Sequence, residues 1–123
     1  MTFEQLKKYC KSIGLVEKEH MQYYGFKFPS KYAADNDFIV AYDRNIKGIR
    51  CACSVGIENY TVVFDNNTFG RGIRCYGFTE PLKCEKDIKE KIDDLLKTYK
   101  ECVLELKKNE YIDKICEIEG DFI

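Results

Sequence analysis

The middle of the chain alternates short β-branched and aromatic segments with turn-forming residues, and this pattern most constrains the fold. The strand-like segments are 37–43, 48–55, 59–65 and 72–78, and Val, Ile, Tyr and Phe favour the pleated strand. The segments between them are rich in Asn, Asp and Gly, which adopt the backbone angles of tight turns. Because short connections join antiparallel neighbours, the sequence predicts a β-meander.

Before this region, the sequence predicts one helix and one further strand. Thr2 and Gln5 have the spacing of a capping box, and Gly14 is a typical residue just after a helix end, so we expect a helix over 2–13. The aromatic segment 21–28 predicts a strand, which Pro29 ends and which we place at the edge of the sheet. Residues 33–37 are predicted to form a loop.

After the strands, apolar residues recur at helical spacing from Cys84 to Leu106. Thr79 is the expected N-cap of this helix, and Pro81 fits its first turn. A second short helix is expected over 111–118. A helix over 82–108 would be ~40 Å long, about twice a typical strand. The excess length predicts an unpaired apolar stripe and a homodimer formed through the C-terminal helix.

Together these elements predict a single α+β domain over residues 1–123. It has an N-terminal helix, a four- to five-stranded antiparallel β-meander and a long C-terminal helix packed on one sheet face. The hydrophobic content of 45% is sufficient for a core. No apolar run approaches the ~20 residues that span a bilayer. We therefore expect no membrane partner and a cytoplasmic location, and we expect the seven cysteines to be free thiols.

The tetrapeptide Gly-Ile-Arg-Cys occurs twice, at 48–51 and 72–75. Side chains alternate along a strand, so Ile and Cys of each copy should face the helix while Arg50 and Arg74 face the other way. If the strands over 48–55, 59–65 and 72–78 form a meander, the two arginines lie two strand spacings, ~10 Å, apart on one face. Tyr76 and Phe78 share that face with them.

Arginine and aromatic residues concentrated on one surface are typical of a binding site. The net charge of −1 and the sequence pI of about 5.9 argue against simple nucleic-acid backbone binding. An ordinary solvated sheet face is the alternative interpretation. The candidate binding residues are Arg50, Arg74, Tyr76, Phe78, Arg44 and Arg71.

Catalytic and metal sites are weakly indicated. Cys51 and Cys53 could ligate a metal only if Cys75 and Cys84 joined them in space, since structural zinc takes four ligands. A cysteine nucleophile would need His20, which lies in a charged segment. The glycines of 70–77 lack the spacing of a dinucleotide fingerprint. We predict no catalytic residue, no metal and no cofactor.

Four functions remain open from the sequence. The first is a small non-enzymatic binding or inhibitory protein with a protein partner, for example a phage-encoded antagonist of a host bacterial enzyme or defence complex. The Lys-, Ile- and Asn-rich composition would suit an AT-rich genome. The second is a small-ligand or nucleotide-binding domain that uses the arginine and aromatic face. The third is a nucleic-acid-binding module, and the fourth is an enzyme whose site residues the sequence does not pair.

Overall fold

The computed structural model describes the backbone of residues 1–33, 36–62 and 68–120. Five strands lie in these ranges, and they form one antiparallel sheet in the order β1-β2-β3-β4-β5. The predicted α+β meander is therefore confirmed, with a helix at each end of the chain. In chain order, the elements are α1 (Phe3–Ser12), β1 (Val16–His20), β2 (Tyr23–Lys27), β3 (Val40–Asp43), β4 (Gly48–Val62), β5 (Thr68–Phe78) and α2 (Glu85–Gly120).

Helix α1 begins at the predicted capping box. The Gln5 amide donates to Thr2 Oγ1 at 3.2 Å, and the Thr2 amide donates to Gln5 Oε1 at 2.8 Å. These two bonds satisfy backbone donors that have no partner inside the helix. Gly14 follows with a φ of +84°, a conformation that costs glycine little and that ends the helix.

The first strand of the sheet, β1, is missing from the sequence prediction. Its residues Glu17, Lys18, Glu19 and His20 are polar on both faces, so hydrophobic alternation does not reveal it. It pairs with β2 through its whole length and forms the edge of the sheet. Charged side chains suit an edge strand because they oppose pairing with another chain. The prediction that segment 21–28 forms the edge is therefore wrong.

The prediction of two strands over 48–55 and 59–65 with a turn between them is wrong, because β4 runs without a turn from Gly48 to Val62. It is one strand of 15 residues, and the expected turn at 56–59 is absent because β5 pairs continuously alongside it. Strand β5 correspondingly begins at Thr68 rather than at Gly72. Residues 63–65 of the predicted strand, the turn residues 65–67 and loop residues 34–35 lie outside the described residues. Strand β3 begins at Val40, three residues later than predicted.

Helix α2 begins later and continues further than predicted. The Thr79 amide donates to Cys51 O and the Leu82 amide to Ile49 O, both at 2.8 Å, so 79–82 runs extended beside β4. The helix then starts at Glu85. It continues without a break to Gly120, so the separate helix over 111–118 is wrong. Segment 107–109 contains no Gly or Pro, and lysine is a good helix former.

Both α2 and β4 are longer than the lengths assumed in the prediction of an overhanging helix. At ~1.5 Å per residue, the 36 residues of α2 span ~54 Å. At ~3.3 Å per residue, the 15 residues of β4 span ~50 Å. The helix packs on β4 and β5, and its buried residues among those described extend from Ile88 to Leu106. The predicted excess rested on a strand of typical length, which β4 exceeds more than twofold.

Both helices pack against one face of the sheet. Phe26, Val40 and Cys51 lie opposite one another on β2, β3 and β4, and each is fully buried. Leu6 of α1 and Ile92 of α2 are also fully buried and belong to the same hydrophobic cluster. Burial of each such aliphatic side chain contributes roughly 1.5–3 kcal/mol. The other core residues of α2 are Ile88, Leu95, Leu96, Tyr99, Cys102 and Leu106.

The opposite face of β2, β3 and β4 is covered by the chain itself. A Cβ placed on Gly25 would lie 2.2 Å from the Phe38 ring, so this ring lies directly over the strand and requires glycine there. Ala41 and Ala52, on the neighbouring strands, have no exposed surface. This part of the second sheet face is therefore a small core and not a solvated surface.

Candidate functional site

Arg50 belongs to this second core. Its Nε donates to the Thr79 carbonyl at 2.9 Å, and its Nη1 lies 3.4 Å from Asp43 Oδ2. The Arg50 side chain is 25% exposed and that of Asp43 only 2%. A buried carboxylate needs a charged partner, and Arg50 provides it. The predicted binding residue Arg50 is therefore engaged in holding the 79–82 segment against β4.

Phe78, a second predicted binding residue, is covered in the same way. Its ring stacks on Tyr23 with centroids 5.0 Å apart, and the Arg50 guanidinium lies 5.7 Å from its centroid. One face of the ring packs on tyrosine and the cation lies over the ring, so a nucleobase has little free surface for stacking. The structure thus does not present Arg50 and Phe78 as an open platform.

Arg74 lies far from Arg50. It is opposite Gly56, six residues along β4 from Arg50, so the two arginines are separated by ~20 Å along the strand. The predicted separation of ~10 Å assumed that the arginines lay two strand spacings apart, with one strand between them. Arg74 Nη1 instead forms an exposed ion pair with Glu58 Oε2 at 3.3 Å. Tyr76, two residues further on, is 42% exposed.

A cleft of about 220 Å³ lies beside Arg74. It forms where Tyr32, Ala33 and Asp37 lie beside the outer edge of β5. The Ile73 amide donates to Tyr32 O at 3.0 Å, and the Cys75 amide donates to Asp37 Oδ2 at 3.2 Å. These two bonds hold the walls of the cleft together. The cleft is lined by Tyr32, Ala33, Asp37, Glu58, Gly72, Ile73 and Arg74.

Asp37 is the titratable group of this cleft whose pKa is most clearly shifted by its surroundings. Burial raises the pKa of its carboxyl, and the negative charge of Glu58 acts in the same direction. The Cys75 amide and the Arg74 guanidinium oppose that rise. The Tyr99 hydroxyl lies behind it, where burial raises the pKa of this tyrosine to about 12. The Ser30 hydroxyl is near enough to offset part of the rise, although the two hydroxyls do not meet hydrogen-bond geometry.

The remaining predicted residues, Arg44 and Arg71, belong to neither group. Arg71 is exposed on β5 and lies opposite Asn59. Arg44 lies in the turn after β3, where its Nη2 contacts Glu19 Oε1 at 2.7 Å. Its guanidinium also lies 5.8 Å from the Tyr24 ring centroid. The six predicted residues are therefore distributed over separate parts of the sheet.

A surface that the sequence prediction missed lies at the end of the sheet near Arg44. The β1–β2 turn and the β3–β4 turn are side by side there, because the Arg44 amide donates to Gln22 O at 2.8 Å. Met21 in the first turn is 80% exposed, and Ile46 in the second is 49% exposed. Pro81 lies beside the second turn, 3.1 Å from the Cβ position of Gly48. The term tip surface denotes Met21, Arg44, Ile46, Lys47 and Pro81.

Two residues of the tip surface have backbone angles that L-amino acids rarely adopt. Met21 has a φ of 55° and Lys47 a φ of 52°. They are the non-glycine residues with positive φ in the described part of the chain, and both lie at this end of the sheet. Such a conformation is uncommon for side chains larger than Asn or Asp. The only sequence signals of this surface are a methionine and an isoleucine within otherwise polar turns.

The cysteines offer neither an activated nucleophile nor a metal cluster in the described residues. Burial raises the pKa of the Cys10, Cys51 and Cys75 thiols to about 12, which keeps them protonated and unreactive. Cys53 and Cys84 are exposed. Within the described residues, no three His, Cys, Asp or Glu side chains are grouped to hold a metal ion. His20 lies on β1 at the sheet edge.

None of the helices that the structure describes is both long enough and apolar enough to cross a lipid bilayer. Comparison of the chain with protein-family models, with curated proteins and with solved structures finds no match. The fold and the sites described above define an α+β domain with two separate candidate surfaces, the tip surface and the cleft beside Arg74.

Proposed function

We propose that this chain is a non-enzymatic binding protein that docks a protein partner on the tip surface. The observation that carries the proposal is the pair of exposed apolar side chains, Met21 and Ile46, on two adjacent turns. Single exposed apolar residues are ordinary on protein surfaces, whereas adjacent ones on connected turns favour an interaction site. Methionine is also common at binding surfaces because its side chain adapts to different shapes.

The backbone of the tip surface supports the same proposal. Positive φ at Met21 and Lys47 costs free energy that glycine at either position would avoid. Strained conformations of this kind cluster at binding and switch sites. A chain that keeps a methionine and a lysine at these two positions is expected to use their side chains.

The charges around the tip surface indicate the chemistry of the partner. Arg44 and Lys47 are cationic and exposed, and Glu19 offsets one of these charges through its ion pair with Arg44. The complementary surface is an apolar pocket with carboxylates at its rim, which Met21 and Ile46 would enter. An antagonist of a host enzyme or defence complex, working in a reducing cytoplasm, is the specific form of this proposal. The six cysteines that the structure describes are free, as that compartment requires.

Affinity capture with matched variants tests the proposal. The immobilised wild-type chain, Met21→Glu, Ile46→Glu and Leu104→Glu are each exposed to lysate from the organism that makes the chain. Leu104 is the control because it is 67% exposed but lies on α2. We expect a partner retained by the wild type and by Leu104→Glu and lost by both tip variants. Retention of the same partner by Met21→Glu and Ile46→Glu overturns the proposal.

Light scattering separates a foreign partner from a second copy of the chain. The proposal predicts a monomer at the concentrations used for capture. A dimer that Met21→Glu dissociates would assign the tip surface to self-association and would contradict the proposed foreign partner. A dimer that Leu104→Glu dissociates would support the alternative prediction of a homodimer through the C-terminal helix.

A further inference from the structure

The cleft beside Arg74 combines an apolar floor with charged walls. Ile73 is 2% exposed and Gly72 is buried, so the base of the cleft is formed by residues with little polar surface. The cleft, of about 220 Å³, is suited to a small molecule or to the end of a longer side chain.

The charges of the cleft do not favour an anion. Asp37 and Glu58 contribute two carboxylates, and Arg74 is the guanidinium among the lining residues. Glu58 already occupies Arg74, with Oε2 and Nη1 3.3 Å apart. Asp37 and Glu58 are close enough for the charge of one to act on the other. With both acids ionised the lining residues carry a net charge of −1, and Lys27, outside the lining, also acts on Asp37. A negative lining opposes a phosphate and attracts a cation.

Asp37 is positioned firmly enough to act as a ligand. One carboxyl oxygen accepts from the Cys75 amide at 3.2 Å, which fixes the group on the edge of β5. Its partial burial strengthens electrostatic interactions relative to those of a fully solvated carboxylate. Across the cleft, Glu58 has a side chain that is 40% exposed and can accept a further donor.

We propose that this cleft binds a small organic cation, an alkylammonium or guanidinium group held between Asp37 and Glu58 with its methylene chain on Ile73. Arg74 limits the negative charge of the empty cleft and competes with the ligand for Glu58. Binding of the cation in the cleft does not involve the tip surface, which lies at the other end of β4.

Titration with n-butylammonium chloride, followed by amide chemical shifts in ¹H–¹⁵N spectra, tests the proposal directly. Sodium chloride and sodium butyrate are the matched controls for ionic strength and for the alkyl chain. We expect saturable shifts at Asp37, Glu58, Arg74 and Cys75 with butylammonium only. Equal shifts with butyrate, or no saturable shift at these residues, overturn the proposal. A parallel titration with Nα-acetyl-lysine amide distinguishes a lysine side chain from a free amine as the better ligand.

Two variants that each remove one charge give opposite expected results. Asp37→Asn keeps an oxygen for the Cys75 amide and should weaken binding about tenfold, the loss of one charge-assisted hydrogen bond. Arg74→Gln releases Glu58 and should tighten binding. If Arg74→Gln left butylammonium binding unchanged or weakened it, Arg74 would not compete with the ligand for Glu58, and the proposal would be wrong. Glu90→Gln on the exposed face of α2 is the control, and Glu58→Gln replaces Asp37→Asn if the latter does not fold.

The dependence of binding on pH is a further readout. The charged groups that act on Asp37 are Glu58, Arg74 and Lys27, while Cys75 supplies a backbone amide. Burial raises the pKa of Asp37, so the carboxylate forms at higher pH than in an exposed aspartate. Binding should tighten as pH rises from about 4 to about 7, and this tightening should be smaller in Asp37→Asn. Identical pH profiles in the wild type and Asp37→Asn would remove Asp37 from the site.

Discussion

Arg50 and Asp43 form an ion pair on the sheet face opposite the helices, with Nη1 and Oδ2 3.4 Å apart. The Asp43 carboxyl is almost completely buried, and its other oxygen accepts from the Asn45 amide at 3.0 Å. Arg50 also donates to Thr79 O, so it joins the β3–β4 turn to the segment that leads into α2. One of the two Gly-Ile-Arg-Cys copies thus supplies a structural arginine.

Replacing Arg50 with Met should destabilise the fold by about 2–3 kcal/mol, because it leaves a buried carboxylate without its cation. Because Arg50 is partly exposed, the expected loss of unfolding free energy is smaller than the largest losses seen when a fully buried ion pair is broken. Arg74→Met, the matched change in the other copy, should cost at most about 1 kcal/mol because its ion pair is exposed. Urea unfolding of both variants measures the difference. Equal losses of unfolding free energy would contradict the distinct roles assigned to the two arginines.

Gly25→Ala should destabilise the fold by about 3 kcal/mol or more, since overpacking of a tight site costs at least ~1–3 kcal/mol. The added methyl would meet the Phe38 ring at 2.2 Å. The double variant Gly25→Ala with Phe38→Leu should recover part of the loss. Thermal unfolding checks both. A Gly25→Ala variant as stable as the wild type would show that the ring does not lie over β2.

Ionisation of the buried thiols makes the free energy of unfolding depend on pH in the alkaline range. Burial raises the pKa of Cys10 and Cys51 from 9.0 to about 12 in the folded chain. Below pH 9 both the folded and unfolded states keep these protons, so the thiols do not change the free energy of unfolding with pH there. Between about pH 9 and about pH 12 only the unfolded chain ionises, so the free energy of unfolding falls as pH rises.

Urea unfolding of the wild type and Cys51→Ala at pH 8 and pH 10.5 measures this effect. The stability of the wild type should fall more steeply with pH than that of Cys51→Ala. At pH 8, iodoacetamide should modify the exposed Cys53 and Cys84 much faster than Cys10 and Cys51. Rapid modification of Cys51 in the folded protein would contradict its burial.

Lys47→Gly should stabilise the fold by about 0.5–1 kcal/mol, because glycine adopts positive φ without the Cβ penalty. The opposite change, Gly14→Ala, meets no atom within 4 Å but should destabilise by about 1 kcal/mol through its φ of +84°. Differential scanning calorimetry measures the stability of both variants relative to the wild type. A destabilised Lys47→Gly would mean that the lysine side chain contributes more to the fold than its backbone costs.

The elements that were predictable have strong local signals. The capping box at Thr2 and the apolar stripe from Ile88 to Leu106 identify both helices, and alternation identifies the strands of the Gly-Ile-Arg-Cys copies. Strand β1 has no such signal, because its pairing with β2 and not its hydrophobicity makes it a strand. The length of β4 depends on its pairing with β5, so Gly56 and Asn59 could be read as turn residues.

The candidate sites were less predictable because they depend on contacts between distant segments. Alternation correctly separates Arg74 and Tyr76 from the buried Ile73. It cannot show that Tyr23 covers Phe78 or that Tyr32 and Asp37 lie beside β5 to form a cleft. It also cannot show that the turns containing Met21 and Ile46 are adjacent. That adjacency follows from the order of the five strands.

Site-specific photo-crosslinking tests the proposed tip surface most directly. A benzoylphenylalanine residue is placed in turn at positions 21, 46, 76 and 104, and each chain is irradiated in lysate from the organism that makes it. The proposal predicts a covalent adduct of the same mass from positions 21 and 46 and no such adduct from positions 76 and 104. An adduct from position 76 or 104 with none from 21 and 46 would contradict it.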